Sequence, residues 1–174
     1  MIEIGLVRLK LVPATAVLAR AEISDRAEFA RLLSATVPDN WPPQNLAEAL
    51  PFFLHCLEAA PDCVGWFGWY GLAAADDSAL AVLVASGGFK GPPQEGLAEI
   101  GYSVLPQFQG RGYAAEMVGG LARWALSQPG VSRVVAETEW TNLASVRVLT
   151  KAGFRPARGT PTTRRPRFEF PAPA

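Results

Sequence analysis

The chain has 174 residues, 49% of them hydrophobic, with 16 basic side chains, 16 acidic ones and a single histidine. That length makes one domain, with roughly 70% of the unfolded surface buried and a core that needs no staples. The formal net charge of zero excludes the basic footprint of a general nucleic-acid binder, and no apolar run approaches the roughly 20 residues of a membrane span.

The first ten residues, MIEIGLVRLK, hold an early acid and no long apolar region. A secretory leader is therefore not expected, and a cytoplasmic protein is. Leu6 to Leu11 alternates as a first strand. Ala14 to Ala21 and Asp25 to Thr36 read as helices, the second capped by Ser24 and burying Phe29, Leu32 and Leu33. The run Pro38-Asp39-Asn40-Trp41-Pro42-Pro43 breaks the pattern, and a helix follows from Gln44 to Ala59. It carries His55, read as a packed or surface residue, and Cys56, which with Cys63 reads as an ordinary reduced thiol. Val64 to Ala74 and Leu80 to Ser86 are predicted strands around a turn at Asp76-Asp77-Ser78. Gly87 to Pro93 reads as a loop. Ala98 to Val104 is a strand and Arg111 to Ser127 a helix, with Met117, Val118, Leu121, Trp124 and Ala125 at helical spacing. Val131 to Thr138 is a strand, and Asn142 to Lys151 is a short helix ended by Gly153. A strand starts at Phe154, Pro156 to Pro166 is a loop, and Arg167 to Phe170 is the last strand. Residues 1–170 form the expected domain and 171–174 a disordered tail. Consecutive strands followed by strand–helix alternation give a mixed α/β sheet with helices on both faces.

Two segments carry chemistry. In Val104-Leu105-Pro106-Gln107-Phe108-Gln109-Gly110-Arg111-Gly112-Tyr113-Ala114, two glycines and an arginine stand where a strand pattern passes into a helix. Glycines permit positive φ and close backbone approach, and the first amides of a helix are unpaired and favour an anion. Neither a Walker A loop nor the Gly-x-Gly-x-x-Gly dinucleotide fingerprint is present. The second segment, Glu137 to Ser145, joins a strand to the short helix. Asn142 and Ser145 also read simply as good cap residues.

Together the two segments resemble a known family. Val104-x-Pro106 with Gln109-Gly110-Arg111-Gly112-Tyr113-Ala114 resembles motif A of the GNAT superfamily of N-acetyltransferases. Asn142 through Ser145 and Leu149 to Lys151-Ala152-Gly153-Phe154 resembles that family's Asn…Lys-x-Gly-Phe helix. With Ala98-Glu99-Ile100-Gly101-Tyr102 ahead of motif A, the subgroup most resembled is the ribosomal-protein N-terminal acetyltransferases. The resemblance implies a mostly antiparallel sheet of six to seven strands with a splay between two central strands. It implies acetyl-CoA as co-substrate and no metal. Tyr102, Ser103 and Val104 would grip the pantetheine, with a strand amide, that of Val104, as oxyanion donor. Gln109, Gly110, Arg111, Gly112, Tyr113, Ala114 and Ala115 would hold the pyrophosphate, and Asn142 and Ser145 would line the far side near the sulfur.

Acetyl transfer to an amine needs a base, since an ammonium cannot attack, and a fate for the leaving thiolate. Glu99 and Glu137 are the candidate bases. Many family members place a tyrosine acid seven residues after the motif asparagine; this chain has Leu149 there, so Ser145 is the substitute or the thiolate leaves unassisted. Trp41, in the segment that walls the acceptor site in this family, and Tyr102 are the candidate substrate contacts. Trp66, Phe67, Trp69, Phe89 and Trp140 are further aromatic walls or core. The expected acceptor is a small-molecule or peptide amine, with no nucleic acid and no membrane as partner; a homodimer is left open. The expected reaction is direct attack in a ternary complex. Two other readings stay open: a non-catalytic acyl-CoA-binding module on the same fold, and a nucleotide-binding protein.

Overall fold

A computed structural model describes residues 2–74, 80–157 and 164–171. The turn read at Asp76-Asp77-Ser78 and most of the expected tail lie outside the described residues. The elements are, in order, β1 (Ile4–Gly5), β2 (Leu9–Pro13), α1 (Ala16–Ser24), α2 (Arg26–Leu33), β3 (Ala35–Thr36), α3 (Gln44–Ala59), β4 (Gly68–Ala73), β5 (Ala81–Phe89), β6 (Leu97–Val104), α4 (Tyr113–Leu126), β7 (Arg133–Glu137), α5 (Leu143–Ala152), β8 (Arg155–Pro156) and β9 (Arg167–Phe170). The strands form one sheet in the order β1-β2-β4-β5-β6-β7-β9-β8, with β3 joined in parallel to β5. The β6–β7 pair is also parallel. The other ladders are antiparallel. Among the described residues there are nine strands rather than six or seven because three two-residue strands are added, β1 and β8 at the edges and β3 beside β5.

Side chains alternate across the sheet, so β2, β4 and β5 each feed two cores. Trp69 and Leu11 turn to one face, packing with Met117, Leu121 and Ala125 of α4 and Leu149 of α5. Tyr70 and Val12 turn to the other, packing with Leu18 of α1, Phe29 of α2 and Leu57 of α3. Burying a leucine of this kind stabilises the fold by about 1.5–3 kcal/mol. No helix among the described residues is long and apolar enough to cross a membrane.

Two local expectations are corrected. Asp25, not Ser24, caps α2: its carboxylate accepts from the Glu28 amide at 3.0 Å, while the Ser24 hydroxyl, in the last turn of α1, donates to the Arg20 carbonyl. An aspartate is as good a cap as a serine, and α1 simply runs one turn further than its pattern. The glycines read as a loop, Gly87 and Gly88, lie inside β5. A Cβ on Gly88 would sit 1.7 Å from the Phe67 carbonyl oxygen. The glycine marks a close backbone crossing within a strand.

Candidate active site

The site forms where β6 parts from β7. Leu97, Ala98 and Glu99 pair with Arg133, Val134 and Val135. From Ile100 to Val104, β6 pairs only with β5 among the described residues, Phe89 to Ala85 running alongside it. The backbone groups of successive residues in a strand point to opposite edges. The Glu99 carbonyl accepts from the Lys90 amide and the Leu105 amide donates to the Val84 carbonyl, both on the β5 side. By alternation, the amides and carbonyls of Tyr102 and Val104 point the other way, into the cleft. The expected splay is present.

The cleft runs into the glycine turn. After a single 3-10 turn, Pro106–Phe108, the Gln109 side chain donates to the Val104 carbonyl at 3.0 Å. Gly110 and Gly112 take φ of +76° and +85°, values that exclude most side chains. A Cβ on Gly110 would meet nothing within 4 Å, so the outer side of the turn is open. Gly112 caps α4 without a side-chain hydrogen bond, leaving the first amides of Tyr113, Ala114 and Ala115 unsatisfied by a cap. Arg111 lays its guanidinium over the Phe108 ring, 5.7 Å from the centroid. Arg8, from the start of the chain, donates to the Arg111 carbonyl at 2.5 Å and is held by Glu116 of α4 through its side chain and backbone, each at 2.7 Å. Burial pulls the Glu116 carboxyl up, but the bonds from Arg8 and from the Leu9 amide outweigh it and hold the group below its ordinary range. An open, donor-rich, positively flanked turn of this kind fits a pyrophosphate.

Across the cleft, Asn142 caps α5, its side-chain oxygen accepting from the Ser145 amide at 3.1 Å. The Tyr102 hydroxyl reaches over from β6 to the Ser145 hydroxyl at 2.8 Å. Burial raises the Tyr102 pKa against the lowering effect of that bond, so the phenol keeps its proton at neutral pH. Leu149 is fully buried in the core and has no part in the cleft.

On the sheet face carrying α1–α3 lies a cavity of about 440 Å³, lined by Phe53 of α3, Phe67, Tyr70, Ser86, Phe89 and the β6 segment Gly101–Ser103, among others. Its wall is largely apolar. Two charged residues line it, Lys90 and Glu22. Glu22 was passed over in the sequence. It lies on α1 four residues after Leu18 and three after Ala19, both buried, so it occupies a core-facing position. The Tyr70 hydroxyl donates to one of its oxygens at 2.6 Å and the Trp41 indole N–H to the other at 2.8 Å. Burial pushes its carboxyl from 4.5 up to about 7, against the lowering effect of the bonds from Tyr70 and Trp41. An acid at a position where the helix period calls for an apolar residue was the available signal.

The two glutamates read from sequence stand differently. Glu99 is ion-paired with Lys90, and Glu137 with Arg167 at 2.8 Å. Neither lines the cavity. Trp41 is buried behind the wall, 6.3 Å from the Tyr70 ring, rather than on it. Of the other aromatics, Phe67 walls the cavity, while Trp69 and Phe89 border it with their side chains buried in the core on the α4 face. Trp66 packs on Trp124, and Trp140 on Phe168. His55 is exposed on α3.

Comparison with known proteins agrees with this architecture. A family model described as an acetyltransferase (GNAT) domain matches residues 8–155. The chain therefore belongs to the GNAT family, the acetyl-CoA-dependent N-acyltransferases expected from its two motifs. An uncharacterized N-acetyltransferase of Bacillus subtilis (strain 168), YjdG, is 35% identical over 115 residues, which are 66% of this chain and 66% of that protein. The match thus spans just under two thirds of that relative's length. The ribosomal-protein-S5-alanine acetyltransferase from Vibrio fischeri has the same fold, with a TM-score of 0.61 at 12% identity over 99% of this chain and 97% of that one. So does Mycobacterium smegmatis RimJ, solved in complex with CoA-disulfide, with a TM-score of 0.61 at 16% identity over 97% of this chain and 87% of that one.

Proposed function

We propose that the chain moves the acetyl group of acetyl-CoA to a primary amine by direct attack within a ternary complex. One observation carries this reading. The backbone of Tyr102 and Val104 faces the cleft that ends at the glycine turn, while Gly101–Ser103 of the same strand line the cavity on the α1–α3 face. Donor and acceptor would meet across a few residues of β6.

In this reading the amides from Gly110 to Ala115 hold the pyrophosphate, with Arg111 as counter-charge. Tyr102, Ser103 and Val104 bind the pantetheine arm, Gln109 fixing the Val104 carbonyl. The Val104 amide is the donor for the oxygen that gains charge as the carbonyl becomes tetrahedral, a role worth about 3–4 kcal/mol in other acyl-transfer sites. Asn142 orders the first turn of α5, and Ser145 with Tyr102 supplies a hydroxyl pair on the side of the departing thiolate. Glu99 is engaged by Lys90 and Glu137 by Arg167, and neither lines the cavity. The acceptor is a small-molecule or peptide amine, and the site is that of a cytoplasmic enzyme.

Incubating the purified chain with acetyl-CoA and a panel of primary amines tests the proposal, with released thiol followed optically and acetylated amine by mass spectrometry. Thiol release that depends on the amine is expected. Acetyl-CoA binding with no amine-dependent release would instead favour a binding module on the same fold.

A further inference from the structure

Resting on the acetyltransferase reading, we propose that Glu22 is the group that receives the acceptor's proton, and that the acceptor is a small primary amine with a compact apolar or aromatic body. Three observations support this. Glu22 lines the cavity whose other lining includes Tyr102 and Ser103, two of the strand residues assigned to the pantetheine arm and next to the Val104 amide. Its two oxygens are fixed by Tyr70 and Trp41 at 2.6 and 2.8 Å, so the carboxylate is aimed rather than free to rotate. Among the described residues, no other group lining the cavity is anionic.

The charges around it leave the role to Glu22. Arg20, on the same helix, is paired with Glu58 of α3 at 2.5 Å. Arg26 of α2 is occupied by the carbonyls of Val37 and Trp41, at 2.9 and 3.2 Å, and by Asp39 at 3.6 Å. From β4 comes only the Tyr70 phenol, which burial and the neighbouring Glu22 charge keep protonated. The cavity wall contributed by α3 is Leu46, Ala49, Leu50, Phe52 and Phe53, with no charge. Lys90, just after β5, is the single cation on the lining among the described residues and is engaged by Glu99.

The chemistry balances with these groups. An entering ammonium gives one proton to the Glu22 carboxylate, and the freed nitrogen lone pair attacks the thioester carbon. The C–N bond forms, the C–S bond breaks, and the second nitrogen proton ends on the thiolate sulfur by way of the Tyr102–Ser145 hydroxyl pair. One amide, one thiol and one protonated carboxyl result, and the carboxyl returns its proton to solvent. A carboxylate whose proton affinity lies close to neutrality suits this exchange. The walls decide the rest of the substrate. A cavity of about 440 Å³ is in the range of small-molecule sites, and with one carboxylate it pairs one ammonium. A polyamine or aminoglycoside would bury further cations against phenylalanine and leucine with no partner.

Steady-state kinetics with 2-phenylethylamine, spermidine, kanamycin and a tetrapeptide bearing a free N-terminus, from pH 5.5 to 9, decide the matter. The expected preference is for 2-phenylethylamine, at least about 10-fold in kcat/KM, with an acid limb near pH 7. Glu22→Gln, whose carbonyl oxygen still accepts from the Trp41 indole while its NH2 donates to the Tyr70 oxygen, should lower kcat/KM about 10²–10³-fold and remove that limb, with circular dichroism unchanged. Tyr70→Phe takes a donor from the charged carboxylate and should move the limb to higher pH, which a merely structural residue would not do. If Glu22→Gln retains wild-type kcat/KM and its acid limb on an amine that the wild type acetylates, the proton goes elsewhere and the role is overturned. Preference for spermidine, kanamycin or the peptide overturns the substrate class. Acetyl-CoA binding without thiol release on any amine overturns the transferase reading itself, and this inference with it.

Discussion

Glu22 occupies a position where the period of α1 calls for an apolar side chain, and its ionisation is linked to folding. The native carboxyl titrates near 7 and an unfolded one near 4.5. Between those values the folded chain holds a proton that the unfolded chain has lost, so stability falls as pH rises through that window. The cost is complete above about pH 7 and amounts to at most about 3 kcal/mol. Glu22→Gln escapes it. Thermal melts should find the variant close to wild type at pH 4 and several degrees more stable at pH 8; equal melting at pH 8 would contradict a buried, disfavoured carboxylate. Two glycines a few ångströms apart in the sheet make a contrasting pair. Gly88→Ala forces a methyl into the Phe67 carbonyl, 1.7 Å away, whereas Gly101→Ala meets nothing within 4 Å. Urea titrations should give a loss of more than about 2 kcal/mol for the first and under about 0.5 kcal/mol for the second.

At the scale of elements, the donor turn depends on a strand far away in the chain. Glu116, in the first turn of α4, accepts from the Arg8 and Leu9 amides at 2.7 and 3.1 Å and from the Arg8 guanidinium at 2.7 Å. This carboxylate fastens β2 to the start of α4 and holds Arg8 against Gly112. Glu116→Ala leaves those donors without their partner, and about 1–3 kcal/mol of stability should be lost. Weaker acetyl-CoA binding by calorimetry should accompany it, because Arg8 no longer braces the turn; unchanged affinity would separate the turn from its brace. How much of the site could be read in advance follows the same division between local and distant. The glycine turn and the Asn142 cap were legible because a positive φ and a helix cap are set by neighbours within three or four residues. The strand at Arg167–Phe170 and the helix at Gln44–Ala59 were legible for a like reason. The cavity was not, since α1, α3, β4, β5 and β6 each supply part of it. Gly87 and Gly88 misled because a glycine pair signals a turn unless the crossing of Phe67 is known. Trp41 was expected on the acceptor wall; it stands one layer back, holding Glu22.

For the molecule as a whole, the sheet divides the protein into two cores that share the strands β2, β4 and β5 but no helix. The glycine turn belongs to the face of α4 and α5, and the cavity to the face of α1, α2 and α3. The two meet along Gly101 to Val104, so in the proposed reading β6 is a septum with a substrate on each side. Its consequence is kinetic. Neither substrate lies in the other's path of entry, so neither has to arrive first, and nothing has to depart before the second binds. Initial rates measured while both concentrations are varied should give double-reciprocal lines that intersect. The coenzyme product should compete with acetyl-CoA but not with the amine. Parallel lines would mean that the acetyl group is parked on the protein between two half-reactions, an outcome at odds with a strand open to both substrates at once.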